Sequence, residues 1–154
     1  MSIEIYQQAT VLAIFIVLLA ATYYDCKSSI IPIYLFPILA VIVVPLSIIH
    51  GQPLLIESLM GLLIGVGTFM FLALLFKGGG GDIIMMGILG WCLGIRGTLM
   101  LIFLASGIYT AVATVLICYC AFIKKEKNVL RKQYPFALFV LAGFMIGLLS
   151  GWLF

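Results

Sequence analysis

The stretch Phe76–Gly87, FKGGGGDIIMMG, divides two apolar segments and places four consecutive glycines directly before Asp82. Only 8% of the residues are charged, so an acid beside so flexible a backbone needs an explanation. Glycine loses more conformational freedom on folding than any other residue, which makes this run a costly plain connection. The run predicts a loop that moves or that another backbone approaches closely; a flexible connection without further purpose is the alternative.

The composition of the chain indicates an integral membrane protein. Hydrophobic residues occupy 66% of the 154 positions and the mean hydropathy is +1.36, whereas soluble domains carry about 25% charged residues. The apolar residues form long runs, which favours helices over the alternating strands of a membrane barrel. Helices also satisfy their own backbone hydrogen bonds inside lipid. We therefore expect an all-α bundle that forms one transmembrane domain over residues 1–154.

Six apolar segments are predicted, at about Ile5–Tyr24, Ile30–Ile49, Leu54–Phe76, Asp82–Ile95, Thr98–Ile123 and Tyr134–Phe154. Most of them reach the roughly 20 residues that span about 30 Å of hydrocarbon. The fourth covers only about 21 Å at the rise of an α-helix. It therefore either extends through Arg96 or begins with its glycines inside the membrane.

The distribution of Lys and Arg predicts the orientation of this bundle. Seven of the eight cations lie in the first, third and fifth connections, whereas the second and fourth connections hold only Arg96. The positive-inside rule places the odd connections in the cytoplasm and both termini on the other side. Asp25 and Asp82 then lie at the same cytoplasmic edge.

Small residues at helical spacing predict close packing between helices. Gly61 and Gly65 form a GxxxG pair, and the same spacing recurs at Gly143, Gly147 and Gly151. Such faces allow two helix backbones to approach closely. We interpret them as packing within the bundle rather than as a dimer interface.

Asp25 and Asp82 are the acids with the strongest claim to a chemical role. Asp82 could be an ordinary helix N-cap, whereas Asp25 ends a segment where the helix dipole disfavours an anion, unless Lys27 offsets it. Two adjacent carboxylates cannot easily both ionise, so one acts as base and the other as acid, as in aspartic proteases. Such a site needs no metal or cofactor, and the sequence contains neither HExxH nor CxxC.

Three motifs occur in order along the chain. GxGD occupies residues 79–82, the stretch YYDCKSSIIP places Asp25 seven residues before Pro32, and YPFALFVLAG follows the basic connection. Together they resemble the type IV prepilin peptidase family, over most of the chain. The resemblance is closest to the short forms that serve tight-adherence pili, because the cytosolic CxxC insert of long members does not occur here.

The resemblance implies an aspartic endopeptidase of the GxGD type, with Asp25 and Asp82 as its catalytic pair. We expect the loop and the substrate to be positioned by Gly79, Gly81, Lys27, Pro32, Pro135 and Phe136. Ile33 stands where the family often has Asn, and Ile84 where it often has Lys. These departures affect substrate positioning and the electrostatics of the pair. Presenilin-like proteases also use GxGD and are more distant in layout.

The implied substrate is a prepilin-like precursor with a short basic leader, a glycine at the cleavage point and an apolar helix. The positive-inside preference would hold such a leader at the cytoplasmic face of the plasma membrane, where we expect both aspartates. Membrane lipid is the other expected partner, and neither nucleic acid nor a cofactor is expected. The sequence leaves open the identity of the pilin, N-methylation and the oligomeric state.

The alternative from a different class is a non-enzymatic transporter or assembly subunit, in which the aspartate pair binds protons or a cation. It predicts flux or partner binding without peptide cleavage. For the enzyme, helix dipoles assign the roles, with Asp82 at a helix N-terminus as the base and Asp25 at a C-terminus as the acid. The two titrate as a coupled unit.

Overall fold

The computed structural model describes residues 3–28, 32, 34–50, 52–76, 80–119 and 136–151. These residues form five α-helices and no strand, namely α1 Ile3–Ser28, α2 Leu35–His50, α3 Gln52–Phe76, α4 Gly80–Tyr119 and α5 Phe136–Leu149. The all-helical prediction is confirmed for this part of the chain. Three helices are long and apolar enough to cross a membrane, over Gln8–Ser28, Leu55–Leu74 and Gly80–Val115. Shorter apolar stretches lie in α2 and α5.

The predicted count of six helices is not confirmed, because the fourth and fifth predicted segments are joined in α4. Within α4, Gly94 has φ +66° and ψ −169°, a conformation essentially reserved for glycine. Thr98 Oγ1 donates its hydrogen bond to the carbonyl of Gly94 at 2.5 Å and lies 3.4 Å from the carbonyl oxygen of Gly90. In a straight helix Gly90 and Thr98 would lie about 12 Å apart, because they are eight residues apart along the chain. Their contact therefore requires a sharp bend at Gly94, next to the predicted boundary at Ile95.

The GxxxG pair of α3 packs against the first half of α4. A Cβ atom on Gly61 would overlap the carbonyl oxygen of Gly90, and one on Gly65 would overlap the carbonyl oxygen of Met86. These pairs show that α3 and the first half of α4 run antiparallel with their backbones in contact. The interpretation of this motif as packing within the bundle is confirmed.

Helix α5 packs against the second half of α4, also antiparallel. A Cβ atom on Gly143 would lie 3.0 Å from the amide nitrogen of Ala105, and the rings of Phe139 and Tyr109 meet edge to face at 5.1 Å. The prediction of a packing role for Gly151 is wrong, because this residue is exposed with open space around it. Its φ of +70° ends the helix as a C-terminal glycine does.

The direction of α4 reverses at Gly94. The centroid of the Phe136 ring lies 5.3 Å from that of the Phe69 ring and 6.3 Å from that of the Tyr109 ring. Phe69 is level with Asp82 in the antiparallel register of α3 and α4. In a straight helix Tyr109 would lie about 40 Å from Asp82. The second half of α4 therefore returns to the end of the bundle that carries Asp82.

Candidate active site

Asp25 lies on the buried face of the last turns of α1, with only 8% of its surface exposed. Its carboxylate oxygen Oδ2 accepts a hydrogen bond of 3.0 Å from the backbone N–H of Ala137. The helix continues to Ser28 instead of ending at Tyr24 as predicted. Asp25 is therefore held inside a helix and is bound to the first turn of α5.

Asp82 lies in the first turn of α4 and is half-buried. It is the third residue of the helix, because Gly80 and Gly81 are already helical. The simple N-cap interpretation therefore does not describe it, although an anion at this position still suits the positive end of the helix dipole. The charge of Asp25 acts on Asp82, so the two carboxyl groups are within electrostatic range of each other.

Lys27 does not pair with Asp25, contrary to the offset considered from sequence. Its ammonium group lies 5.7 Å from the centroid of the Tyr23 ring, on the exposed side of α1. Residues two apart point to nearly opposite faces of a helix, so Lys27 and the buried carboxyl of Asp25 lie on different sides. The backbone N–H of Ala137, and not the ammonium group of Lys27, contacts the carboxyl group of Asp25.

Pro32 lies beside the carboxyl end of α1. Its carbonyl accepts a hydrogen bond of 3.2 Å from Leu35 N–H at the start of α2. A hydrogen bond between the hydroxyl groups of Tyr24 and Tyr34 raises the pKa of Tyr34 and joins the two helix ends. Tyr34, which follows Pro32 in this turn, therefore lies near Tyr24, the residue that precedes Asp25.

The other predicted positioning residues divide into two groups. Gly81 is half-buried in the first turn of α4, and Phe136 lies between the rings of Phe69 and Tyr109. The positions of Gly79 and Pro135 are outside the described residues. The structure therefore brings Gly81, Phe136 and the two aspartates to one end of the bundle and leaves Lys27 on its outer surface.

Sequence reasoning missed the backbone contact between Asp25 and Ala137. The contact joins residues 112 positions apart and uses an amide that every residue except proline carries. No local pattern in the sequence could have indicated it. It also changes the electrostatic picture, because Asp25 lies at the C-terminal end of α1 and at the N-terminal end of α5. The two helix dipoles act on it with opposite signs, so the dipole of α1 alone does not assign its role.

The described site offers carboxyl chemistry. One carboxyl is held by a backbone amide, and the other lies in the first turn of a helix that follows a glycine run, so the two groups are anchored differently and interact through their charges. Among the residues described, no three or more His, Cys, Asp or Glu side chains gather as metal ligands would.

Comparison with known proteins gives one match. A sequence model of the type IV leader peptidase family matches residues 12–115, which is more than half of the chain and includes both aspartates. No curated protein matches the chain, and no solved structure matches it either. Helix α5 lies outside the matched range.

Proposed function

Since the chain belongs to the type IV leader peptidase family, we propose that it is a membrane-embedded aspartic endopeptidase of the GxGD type. Its substrate would be a prepilin-like precursor, from which it removes the short basic leader. The observation that carries the proposal is the approach of Asp25 and Asp82, which come from different helices and interact electrostatically. The family match favours this function over the transporter or assembly subunit.

In the proposed reaction, one carboxylate takes a proton from water as that water attacks the scissile carbonyl carbon. The other carboxyl donates its proton to the carbonyl oxygen, which gives a tetrahedral gem-diol. The carboxyl that took the proton from water then passes it to the leaving nitrogen as the C–N bond breaks, and one hydroxyl of the gem-diol returns its proton to the other carboxylate. The products are a carboxylic acid and an amine, and the pair regains its starting protonation. Asp25 is the better anchored member, because Ala137 N–H fixes one of its oxygens. Asp82 as base and Asp25 as acid stays a prediction.

The proposed place of cleavage is the edge of the membrane. Asp25 is three residues from the end of the candidate span Gln8–Ser28, and Asp82 is two residues from the start of Gly80–Val115. The distribution of Lys and Arg supports a cytoplasmic location for this edge, in a plasma membrane. A basic leader retained in the cytoplasm would then present the scissile bond at the level of the two carboxyl groups, with lipid headgroups beside it.

The test is a cleavage assay that includes a control substitution at a third acidic residue of the chain. The chain is co-expressed with a pilin precursor, and leader removal is followed by gel shift and mass spectrometry in the wild type, Asp25→Asn and Asp82→Asn. Glu57→Gln is the control, because Glu57 is exposed and its Cβ lies next to Gly94, about 18 Å along α4 from Asp82. We expect cleavage after a glycine in the wild type and the control, and no cleavage in either aspartate variant.

Two results would contradict the proposed function. One is cleavage that continues in Asp25→Asn or Asp82→Asn at the rate of the wild type. The other is a folded wild-type protein in the membrane that cleaves none of several precursors, in which case proton or cation flux that depends on the same aspartates would support the transporter.

A further inference from the structure

Two buried threonines of α1 have side-chain oxygens without a hydrogen-bond partner among the described residues, Thr10 and Thr22. They are 1% and 8% exposed. Elsewhere in the protein, Thr110 and Thr114 each donate a hydrogen bond of 2.8 Å to the carbonyl four residues earlier. This bond is the ordinary way to satisfy a helical threonine. The unpaired hydroxyl groups of Thr10 and Thr22 therefore need an explanation.

The position of Thr22 supplies one. Thr22 precedes Asp25 by three residues, and both are on the buried face of α1. Side chains three apart on a helix are neighbours, with Cβ atoms about 5–6 Å from each other. Helical side chains lean towards the N-terminus, so the carboxyl of Asp25 lies over the turn that carries Thr22.

The carboxyl of Asp25 can accept a further hydrogen bond. Its oxygen Oδ2 accepts the bond from Ala137 N–H, and a carboxyl group keeps further acceptor sites on its two oxygens whether it is protonated or ionised. Lys27 lies on the other face of the helix and contacts Tyr23. A threonine hydroxyl in a helix occupies two main rotamers, so one rotation about χ1 re-aims the O–H of Thr22.

We propose that Thr22 is a positioning residue of the active site, whose hydroxyl donates a hydrogen bond to the carboxyl group of Asp25 during cleavage. The carboxyl is then held from two sides, by Thr22 O–H and by Ala137 N–H. This inference rests on the proposed peptidase function and adds to it a residue that acts through Asp25. Thr10 has the same chemistry and burial, but it lies about 18 Å further along α1 and has no such role.

The experiment compares Thr22→Val with Thr10→Val in the purified full-length protein, with kcat and KM measured on a precursor peptide in detergent or liposomes. A hydrogen bond to a charged group corresponds to a loss of about 10- to 100-fold in kcat when the donor is removed. We expect that loss for Thr22→Val with an unchanged KM, because Thr22 acts on Asp25 and not on the substrate. Thr10→Val should keep the kcat of the wild type.

Two further measurements separate positioning from structural damage. Thr22→Ser retains the hydroxyl and should recover most of the kcat that Thr22→Val loses. Both valine variants should unfold at the temperature of the wild type or above it, because removing an unpaired buried hydroxyl is neutral or stabilising. Should Thr22→Val fail to fold, Thr22→Ala removes the same hydroxyl and carries the same expectation.

The inference is overturned by a Thr22→Val protein with the kcat of the wild type, or by one that changes only KM. It is also overturned when Thr22→Ser loses as much as Thr22→Val, or when Thr10→Val loses equally. A wild-type protein that cleaves no precursor refutes the peptidase function together with this inference. An active wild type whose Asp25→Asn variant is inactive, combined with a fully active Thr22→Val, refutes only the role of Thr22.

Discussion

The hydrogen bond from Ala137 N–H to Asp25 can be removed by one substitution that the helix tolerates. Ala137 is the second residue of α5, and the first four N–H groups of a helix have no partner within it. Proline is accepted in this first turn for the same reason. Ala137→Pro therefore removes the donor to Asp25 without breaking a hydrogen bond of the helix.

The size of the effect follows from the geometry. The amide nitrogen lies 3.0 Å from Oδ2 of Asp25, and the ring carbon of proline would extend about 1.5 Å from that nitrogen towards the oxygen. An ordinary C···O contact needs about 3.3 Å, so the carboxyl must move by about 1.8 Å. Misplacement of a catalytic group by 1 Å can lower a rate about 100-fold. We expect kcat to fall at least about 100-fold.

The assay measures kcat on a precursor peptide, with helix content and thermal unfolding measured in parallel. Leu138→Pro is the matched control, because it places a proline in the same turn at an exposed residue whose N–H is not the donor to Asp25. We expect this control to remain within about threefold of the wild type, as a surface change that leaves the carboxyl in place. A folded Ala137→Pro protein with the kcat of the wild type would refute the reasoning, and so would an equal loss in Leu138→Pro.

Three further changes test the packing that holds the site. Gly61→Ala places a Cβ onto the carbonyl oxygen of Gly90 in α4 and should lower the free energy of unfolding by about 1–3 kcal/mol. Its control is Gly67→Ala, which has open space around the new Cβ and should leave the temperature of unfolding unchanged or raise it. Gly94→Ala forces a side chain into φ +66° and should destabilise by about 1–3 kcal/mol; an unchanged unfolding temperature would contradict the reversal of α4 at that residue. Phe136→Ala removes two ring contacts and should destabilise by about 1–3 kcal/mol, with Phe136→Leu intermediate; equal unfolding temperatures for the two variants would contradict an aromatic contribution.

The class of the fold and the close packing of α3 could be predicted from the sequence. Long apolar runs leave a backbone in lipid little choice except the helix, and the spacing of Gly61 and Gly65 indicates which face is in contact. The helix boundaries were less predictable. The carboxyl end of α1 runs to Ser28, past the polar residues that were expected to end it.

Long-range contacts account for what the sequence did not predict. The distribution of Lys and Arg predicted only that Asp25 and Asp82 lie at the same edge of the membrane, because orientation rules depend on loop composition and not on contacts between helices. The amide that binds Asp25 belongs to Ala137, whose side chain carries no polar atom, so its contribution depends only on where α5 begins. The reversal of α4 likewise depends on the backbone conformation of Gly94, and nothing in the sequence distinguishes Gly94 from the other glycines among the 16.

The central claim is that Asp25 and Asp82 act as one catalytic unit. The most direct measurement is kcat on a precursor peptide for Asp25→Asn, Asp82→Asn and the double variant, all purified and folded. Residues that act as a unit are non-additive, so each single variant should lose about as much as the double variant. A single variant that keeps kcat near that of the wild type, or single losses that multiply to give the loss of the double variant, would contradict the claim.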